Sequence, residues 1–353
     1  MTDSGTSVGS PSRHGSPLAP PQYVLARLMT GYAVSQMVYV AWRLGLADLL
    51  TEGPRSADDL AELTHADRST LRRIMRGLVA VGVLRQTGRG LFELSEVGEY
   101  LRKDFPGSLG VMAVCSEESY LAWGHLLHTA TTGETAFDHV FGVDRYQYLQ
   151  QNREAAGSFN LAMAGLSTQM ADALIAAYDF SRVTRVVDVD GGDGALLRAI
   201  LKENPNVFGV LCDTPYVVAE AAGQLSGEEM KGRYEVVAGN YFESVPAGGD
   251  LYLLSHVLHN WDDENCLRIL RNCRAAVGPE GGLLIAEMIM PARLEDASSA
   301  YPLVMTDLQM LVMTGGCERT EEEFGELLSA AGFRPARVIP TRSLESLIEC
   351  VPA

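Results

Sequence analysis

The chain has 353 residues, 47% of them hydrophobic, and a formal net charge of -17 at pH 7. This length allows two domains with sizeable cores. The acidic balance argues against a nucleic-acid partner, because phosphate backbones are bound by clustered Lys and Arg. The six cysteines form no C-x-x-C pair and no metal-ligand spacing, a pattern typical of reduced thiols in a cytoplasmic protein without a metal site.

The N-terminus shows no targeting or membrane signal. Residues 1–20 are rich in Ser, Gly and Pro and lack the apolar segment of a signal peptide, which predicts a disordered tail. The most apolar stretch that follows, 32–50, contains Ser35, Gln36 and Arg43, which argues against a transmembrane helix. We therefore expect a cytoplasmic protein without a membrane partner.

Residues 21–105 form the first predicted domain. Apolar spacing predicts helices at 56–63 and 69–81, and a hairpin of strands at 83–84 and 91–94. Helix-turn-helix followed by a hairpin is typical of a winged helix. One interpretation is a DNA-binding regulator, whose recognition helix would carry Arg68, Arg72, Arg73 and Arg76. The acidic residues around these helices favour the other interpretation, an architectural and dimer-forming domain.

Residues 106–178 form a predicted helical connector. Its helical parts, 109–131 and 146–178, are rich in Met, Phe, Tyr and Trp. Such side chains make an apolar slot that suits a planar ligand. Ordinary helix core remains the alternative for each single residue.

A glycine-rich turn dominates the second half of the chain. A buried strand is predicted at 186–189, then a turn containing Gly191, Gly192 and Gly194, then a helix at 195–202. This unit lets backbone and helix N-terminal amides approach a ligand closely. The dinucleotide fingerprint needs a third glycine that is missing here, so NAD is disfavoured.

Acidic and imidazole side chains follow the next predicted strands. Strand 208–211 leads to Asp213, which lies where ribose hydroxyls are bound in such folds, although Asp213 or Thr214 as a helix N-cap is the alternative. Strand 251–254 leads to His256 and His259. Strand 282–286 precedes Glu287. Glu318 precedes a helix near Thr320, where Thr320 and Glu323 also fit a capping box. A final hairpin, 334–339 and 346–351, is predicted as an antiparallel edge of a mostly parallel sheet.

Residues 20–352 resemble the small-molecule O-methyltransferases that use S-adenosylmethionine, including plant caffeate-type and bacterial polyketide and antibiotic tailoring enzymes. Four segments carry the resemblance in order: 188–194, 253–263, 286–287 and 315–320. The resemblance implies an α/β fold, with a class I methyltransferase Rossmann-like domain at 179–353. The N-terminal part, 21–105, would be a mainly helical winged-helix dimerisation domain, and the connector, 106–178, would line the substrate pocket. The expected assembly is a homodimer.

The same resemblance implies roles for individual residues. His259 matches the general base, Glu287 and Glu318 match two supporting glutamates, and His256 matches a variable position. The role of a core histidine satisfied by a backbone partner suits His256 better. The positions that match cofactor-binding residues are Asp188, Asp190, Gly191, Asp213, Thr214, Asn240, Tyr241, Phe242, Ser255 and Trp261. The positions that match substrate-binding residues are Phe159, Asn160, Met163, Asn260, Met310 and Met313.

The chemistry of methyl transfer fits these residue types. A sulfonium is already an electrophile, so the protein must position the nucleophile and remove its proton, and no metal is required. A phenol with a pKa of about 10 needs a base at neutral pH, and imidazole suits this task. The predicted reaction is methylation of a phenolic or enolic hydroxyl on an aromatic or polyketide-type secondary metabolite. A repurposed methyltransferase fold that acts as a hydroxylase or decarboxylase is the alternative.

The chain departs from the family pattern at three positions. Asp190 replaces a glycine, and Asn240 and Asn260 replace aspartates. Asn240 can still accept a hydrogen bond from an adenine amino group, and Asn260 can still form hydrogen bonds. Asp190 adds a carboxylate at a point of close approach. It would either repel the carboxylate of the cofactor's methionine end or pair with the ammonium or sulfonium, and both possibilities stay open.

Overall fold

The computed structural model describes residues 20–88, 90–105, 107–113, 116–224, 230–294 and 297–353. Residues 1–19 of the predicted tail, Arg89 and Cys115 lie outside these ranges. The chain divides into two compact units, Met1–Arg102 and Lys103–Ala353, so the connector and the predicted catalytic domain belong to one unit. Among the described helices, none combines the length and apolarity needed to cross a membrane.

The first unit contains a helix-turn-helix followed by a hairpin. Its elements are α1 (Pro21–Met29), α2 (Gly31–Arg43), α3 (Leu46–Leu49), α4 (Ala57–Thr64), α5 (Arg68–Ala80), β1 (Leu84–Gln86), β2 (Phe92–Leu94) and α6 (Glu96–Glu99). Helix α4 begins at a capping box between Ser56 and Asp59. After α5 the chain turns at Gly82, whose φ of 82° is easily adopted only by glycine. The predicted helices and hairpin are present, with ends shifted by one or two residues.

The arginines of α5 are partly neutralised by their surroundings. The Arg72 guanidinium lies 2.7 Å from the Asp58 carboxylate, and that of Arg68 lies 3.9 Å from Glu62. Both acids belong to α4, the preceding helix. This surface therefore has mixed charge, whereas a nucleic-acid-binding helix needs a basic stripe.

The second unit opens with the predicted helical region, which consists of several helices. After a 3₁₀ turn at Gly110–Ala113, its helices are α7 (Ser116–Trp123), α8 (Leu126–Thr132), α9 (Ala136–Phe141), α10 (Arg145–Gln151) and α11 (Arg153–Ala177). The predicted helical parts, 109–131 and 146–178, are helical in the described residues, and each contains more than one helix. The second is interrupted at Asn152, whose backbone is non-helical and whose side-chain amide donates to the Tyr148 carbonyl at 2.8 Å.

A mostly parallel sheet forms the rest of the second unit. Its strands are β3 (Arg185–Val189), β4 (Phe208–Asp213), β5 (Tyr234–Ala238), β6 (Leu251–Ser255), β7 (Gly282–Met290), β8 (Arg319–Thr320), β9 (Phe333–Pro340) and β10 (Glu345–Pro352). The associated helices are α12 (Ala195–Glu203), α13 (Pro215–Gln224), α14 (Asp263–Ala276), α15 (Ala297–Met313) and α16 (Glu321–Ala330). The strand order is β5-β4-β3-β6-β7-β10-β9, with β8 beside β7. The α/β class and the antiparallel hairpin at the edge are confirmed. Glu287, predicted to follow its strand, lies within β7.

Alternating side chains of the central strands fill two separate cores. Val187 and Val189 pack on one face of the sheet, and Val186 packs on the other. The sequences of these strands are mostly apolar, because both faces of the sheet are buried. Strands β3 and β6 are parallel neighbours with Val189 beside Leu254, so the loops after them leave the same edge of the sheet. Polar residues that follow these strands are thereby brought together.

Candidate active site

Buried carboxyl groups gather where β3 and β4 end. Asp213 ties the two loops together: its oxygens accept hydrogen bonds from Gly192 N at 2.9 Å and Thr214 N at 2.6 Å. Asp188 is 1% exposed, and its Oδ2 has no hydrogen-bond partner among the described residues. Burial, reinforced by the charges of Asp213 and Asp193, raises the pKa of Asp188 to about 7. An unpartnered acceptor of this kind is suited to a hydroxyl or amino donor of a ligand.

Asp190 occupies a left-handed backbone conformation with a φ of 60°, and its N–H donates to the Cys212 carbonyl at 2.8 Å. Its side chain is hydrogen-bonded to Asp213 and Tyr241. Burial and the Asp213 charge hold the pKa of Asp190 well above its usual value. The neighbouring Gly191 has no room for a side chain, because a Cβ would lie 2.6 Å from the Asp188 carboxylate.

Aromatic rings border this acidic cluster. Trp261 stacks on Tyr146 with centroids 5.1 Å apart and meets the edge of Phe242 at 4.8 Å. Tyr241 is buried and contacts Phe242 at 4.8 Å. The Trp261 indole N–H is buried without a partner among the described residues, so it is an available donor. The sequence did not predict a role for Tyr146 in this site, because its position beside Trp261 depends on how the helices pack.

The Asn240 side chain forms hydrogen bonds within its own turn. The residue is exposed, its Oδ1 accepts from Phe242 N at 3.0 Å, and its amide donates to Glu243 at 3.2 Å. These bonds stabilise the turn that carries Tyr241 and Phe242. The predicted contact with an adenine amino group would use an oxygen that already accepts one backbone bond.

His259 lies next to both predicted glutamates. Its Nδ1–H donates to Glu318 Oε1 at 2.8 Å and lies 3.6 Å from Glu287 Oε2. Glu287 Oε1 accepts from the backbone N–H of Leu258 at 2.9 Å and of His259 at 3.4 Å. Burial lowers the pKa of His259, but the charges of Glu287 and Glu318 outweigh burial and raise it above its ordinary 6.5. With the proton on Nδ1, the Nε2 atom is left as the acceptor.

Two residues that the sequence analysis did not single out hold the His259 turn in place. Arg319 is 2% exposed and donates to the carbonyls of Leu258 at 3.0 Å and Trp261 at 2.8 Å. Its guanidinium also binds Asp263 at 2.8 Å. Gly316 packs against the same turn so closely that a Cβ would lie 2.0 Å from the His259 carbonyl oxygen. In the sequence, a role for Arg319 could have been inferred from its place directly after Glu318. No local sequence pattern indicated that Gly316 packs against the His259 turn.

His256, Ser255 and Asn260 have local partners. His256 has a φ of 54°, and its Nε2 lies 3.2 Å from Glu345 Oε1, so its partner is a carboxylate and the expected backbone partner is wrong. The Ser255 hydroxyl lies 3.8 Å from Met170 Sδ. The Asn260 amide donates to the His256 carbonyl at 2.9 Å, which closes the turn around the base.

The predicted substrate residues fall into two groups. Phe159, Asn160 and Met163 lie on α11, where the Arg145 guanidinium sits 4.8 Å from the Phe159 ring centroid and Met163 is 36% exposed. Met310 is partly buried on α15, a helix that contacts the His259 turn. Met313, on the same helix, is 1% exposed and packs in an apolar cluster with Phe137, so its side chain serves as core.

The site also contains donor types that bind metals. Ligand atoms of His256, His259 and Glu287 lie within 4.8 Å of one another. His259 Nδ1 and Glu287 Oε1 are, however, already engaged with Glu318 and the backbone. The arrangement therefore suits proton handling, and the metal-free interpretation stays a prediction.

The fold and this site agree with the comparisons with known proteins. Residues 123–334 match the O-methyltransferase domain, and residues 26–104 match the O-methyltransferase dimerisation domain. A phenazine O-methyltransferase of Lysobacter antibioticus is 41% identical over 330 residues, covering 93% of this chain and 96% of that protein. The O-demethylpuromycin-O-methyltransferase of Streptomyces alboniger is 39% identical over 357 residues, covering 98% of this chain and 93% of that protein.

Among solved structures, an O-methyltransferase from neocarzinostatin biosynthesis in complex with S-adenosylmethionine and 2-hydroxy-5-methyl naphthoic acid is similar. It has a TM-score of 0.81 and 32% identity, covering 91% of this chain and 96% of that chain. The chain therefore belongs to the family of S-adenosylmethionine-dependent O-methyltransferases and is an enzyme of that class.

The residues present fit the family's cofactor. Asp188 offers an unpartnered buried acceptor, and Trp261 offers a buried donor, among the described residues. Carboxylates suit ribose hydroxyls and an ammonium group, and the aromatic cluster suits a flat purine.

Proposed function

We propose that this enzyme transfers the methyl group of S-adenosylmethionine to a phenolic or enolic hydroxyl of an aromatic or polyketide-type metabolite, with His259 as general base. The observation that carries the proposal is the buried contact of 2.8 Å between His259 Nδ1 and Glu318 Oε1. This contact leaves Nε2 free to accept a proton. His259 follows β6, directly beside the strand β3 that leads into the acidic turn.

In the mechanism, S-adenosylmethionine supplies an electrophilic methyl group when bound. Asp188 and Asp213 would hold the cofactor's polar groups at the ends of β3 and β4, with Trp261 beside them. His259 Nε2 takes the hydroxyl proton as the acceptor oxygen attacks, and the imidazolium that forms is stabilised by Glu318 and Glu287. Glu287 also anchors the backbone of the His259 turn, so the imidazole stays in place during the reaction.

The acceptor class rests on two observations. The related proteins named above are called methyltransferases of phenazine and of O-demethylpuromycin, and the solved structure holds a hydroxynaphthoic acid. The helices α11 and α15 carry apolar and Met side chains such as Phe159 and Met310, which suit planar ligands. A flat hydroxylated aromatic is therefore the class to test first.

The proposal is tested by binding and then by turnover. Calorimetric titration with S-adenosylmethionine and S-adenosylhomocysteine comes first, and we expect micromolar binding of both. The enzyme is then incubated with S-adenosylmethionine and a panel of hydroxylated phenazines, naphthoates and benzoates, each paired with its methyl ether. Mass spectrometry should show one methyl group gained by a free phenol and none by the ether. Cofactor binding together with a different chemical change would contradict the proposal and support a repurposed enzyme.

The pH dependence of turnover should show the ionisation of His259. Because catalysis needs neutral His259, activity should rise with pH through its raised pKa, above the ordinary value of 6.5. In Glu318→Gln, one of the charges that raise this pKa is lost, so the acidic limb of the kcat profile should move to lower pH. We expect kcat at high pH to fall about tenfold, because glutamine still accepts from Nδ1–H but no longer stabilises the imidazolium.

The control for that variant is Glu323→Gln, five residues further along the chain. Glu323 is exposed and forms a capping box with Thr320 at the start of α16, so its loss should lower the melting temperature slightly. The pH profile of this control should match that of the wild type. A limb that stays in place in Glu318→Gln would mean that another group controls the pH dependence.

We further propose that the enzyme is a homodimer held together through its N-terminal unit. Helix α1 exposes large apolar side chains, with Leu28 at 73% and Met29 at 70% exposure, and the unit matches the family's dimerisation domain. In Leu28→Glu/Met29→Glu, light scattering after size-exclusion chromatography should show a smaller species that keeps its helical content. Leu344→Glu, 55% exposed in the hairpin between β9 and β10, should leave the assembly unchanged. A wild-type monomer would overturn this proposal.

A further inference from the structure

Asp190 stands where the family resemblance implies a glycine. Among the residues that face it are Asp188 on β3, Asp213 on β4, Tyr146 on α10 and Tyr241 after β5. The Asp190 N–H donates at 2.8 Å to the carbonyl of Cys212, the residue before Asp213, and the Asp213 carboxylate accepts from Gly192 N at 2.9 Å, so Asp190 and Asp213 lie in two loops that are tied together. The chain thus places a third carboxyl group beside two others, one of which has an unpartnered buried oxygen.

These carboxyl groups favour a ligand that carries positive charge. Three neighbouring buried carboxyl groups repel one another when ionised, which favours retention of a proton among them. A ligand with more positive charge relieves the repulsion and stabilises the ionised forms. S-adenosylmethionine carries a sulfonium charge that its product, S-adenosylhomocysteine, lacks. The extra carboxylate must therefore favour the substrate over the product form of the cofactor, since electrostatic attraction in a buried site reaches over several ångströms.

We propose that Asp190 is a specificity-determining residue, which makes this enzyme bind the cationic cofactor in preference to the uncharged thioether product. The proposal rests on the proposed function, because it assumes that both ligands bind at this turn. Its consequence for the reaction is weaker product inhibition than a glycine at this position would give. Binding of S-adenosylmethionine should also expel a proton that Asp190 and Asp213 share, so its affinity should rise with pH.

Two substitutions separate the effect of the Asp190 charge from the effect of its side-chain shape. Asp190→Asn keeps the size of the side chain, and asparagine tolerates the left-handed backbone that Asp190 adopts. Asp190→Gly removes the side chain and relieves any backbone strain at a φ of 60°. Both variants should therefore fold. Asp193→Asn is the matched control, because it removes a carboxylate charge from the same turn and keeps an oxygen to accept from Ala195 N.

Calorimetric titration of each protein with S-adenosylmethionine and with S-adenosylhomocysteine measures the ratio of their dissociation constants. We expect both Asp190 variants to lose about tenfold of the wild-type preference for S-adenosylmethionine, and the control to lose much less. Titrations at one pH in buffers of different ionisation enthalpy count the released protons. The wild type should release up to about one proton with S-adenosylmethionine, and Asp190→Asn should release clearly less.

The outcomes separate this inference from the proposed function. Good binding of both ligands with an unchanged ratio in Asp190→Asn would overturn the inference alone. An equal change in Asp193→Asn would also overturn it, because the preference would then reflect overall charge. If neither ligand binds the wild type, the proposed function fails, and this inference fails with it.

Discussion

Replacing His259 by Asn should reduce methyl transfer by about 10²- to 10⁴-fold while S-adenosylmethionine binding changes little. The imidazole is the base, and an asparagine amide cannot take a proton from a phenol at neutral pH. Asparagine can still donate to Glu318, so the buried carboxylate is not left entirely without a partner. The measurement is single-turnover methyl transfer with an accepted phenol, combined with calorimetric titration of the cofactor.

The matched control is His256→Asn, three residues earlier. His256 has a φ of 54°, which asparagine tolerates, and its imidazole faces Glu345. We expect this variant to retain most of the wild-type rate. A greater loss of transfer in His256→Asn than in His259→Asn would reassign the base. Loss of both transfer and cofactor binding in His259→Asn would count against the assignment, since a structural role would explain it equally well.

Replacing Gly316 by Ala should disable the enzyme without touching a titratable group. The new Cβ would lie 2.0 Å from the His259 carbonyl oxygen and 2.8 Å from Trp261 N, distances that real Cβ atoms do not reach. Because the clash is with backbone, the His259 turn must move. A shift of about 1 Å is enough to cost roughly 10²-fold in rate, and overpacking of this kind costs about 1–3 kcal/mol in the free energy of unfolding.

Gly325→Ala provides the control for this substitution. Gly325 lies within α16, and a Cβ there meets no atom within 4 Å, so alanine should stabilise the protein by about 0.5–1 kcal/mol through its helix propensity. The measurements are thermal unfolding and the rate of methyl transfer for both variants. Wild-type activity in Gly316→Ala would mean that the tight packing of Gly316 on the His259 turn is not required for the geometry of the base.

The sequence alone predicted the features that depend on local pattern. Continuous apolar runs such as 251–254 predicted buried parallel strands, because a strand covered on both faces has no polar side. The capping box of Thr320 with Glu323, one of two interpretations of that segment, is present. Motif order led to the cofactor and to the family, which the comparisons confirm. The assigned roles of single residues stay predictions.

Tertiary structure decided which distant residues meet. Glu318 lies 59 positions from His259, yet pairing of β8 with β7 brings its carboxylate to 2.8 Å from Nδ1. Packing also decided that Met313 is core and that Gly316 and Arg319 brace the His259 turn. The physical reason is that hydrophobic patterns and caps act within a few residues, whereas close contacts between loops depend on how whole elements pack.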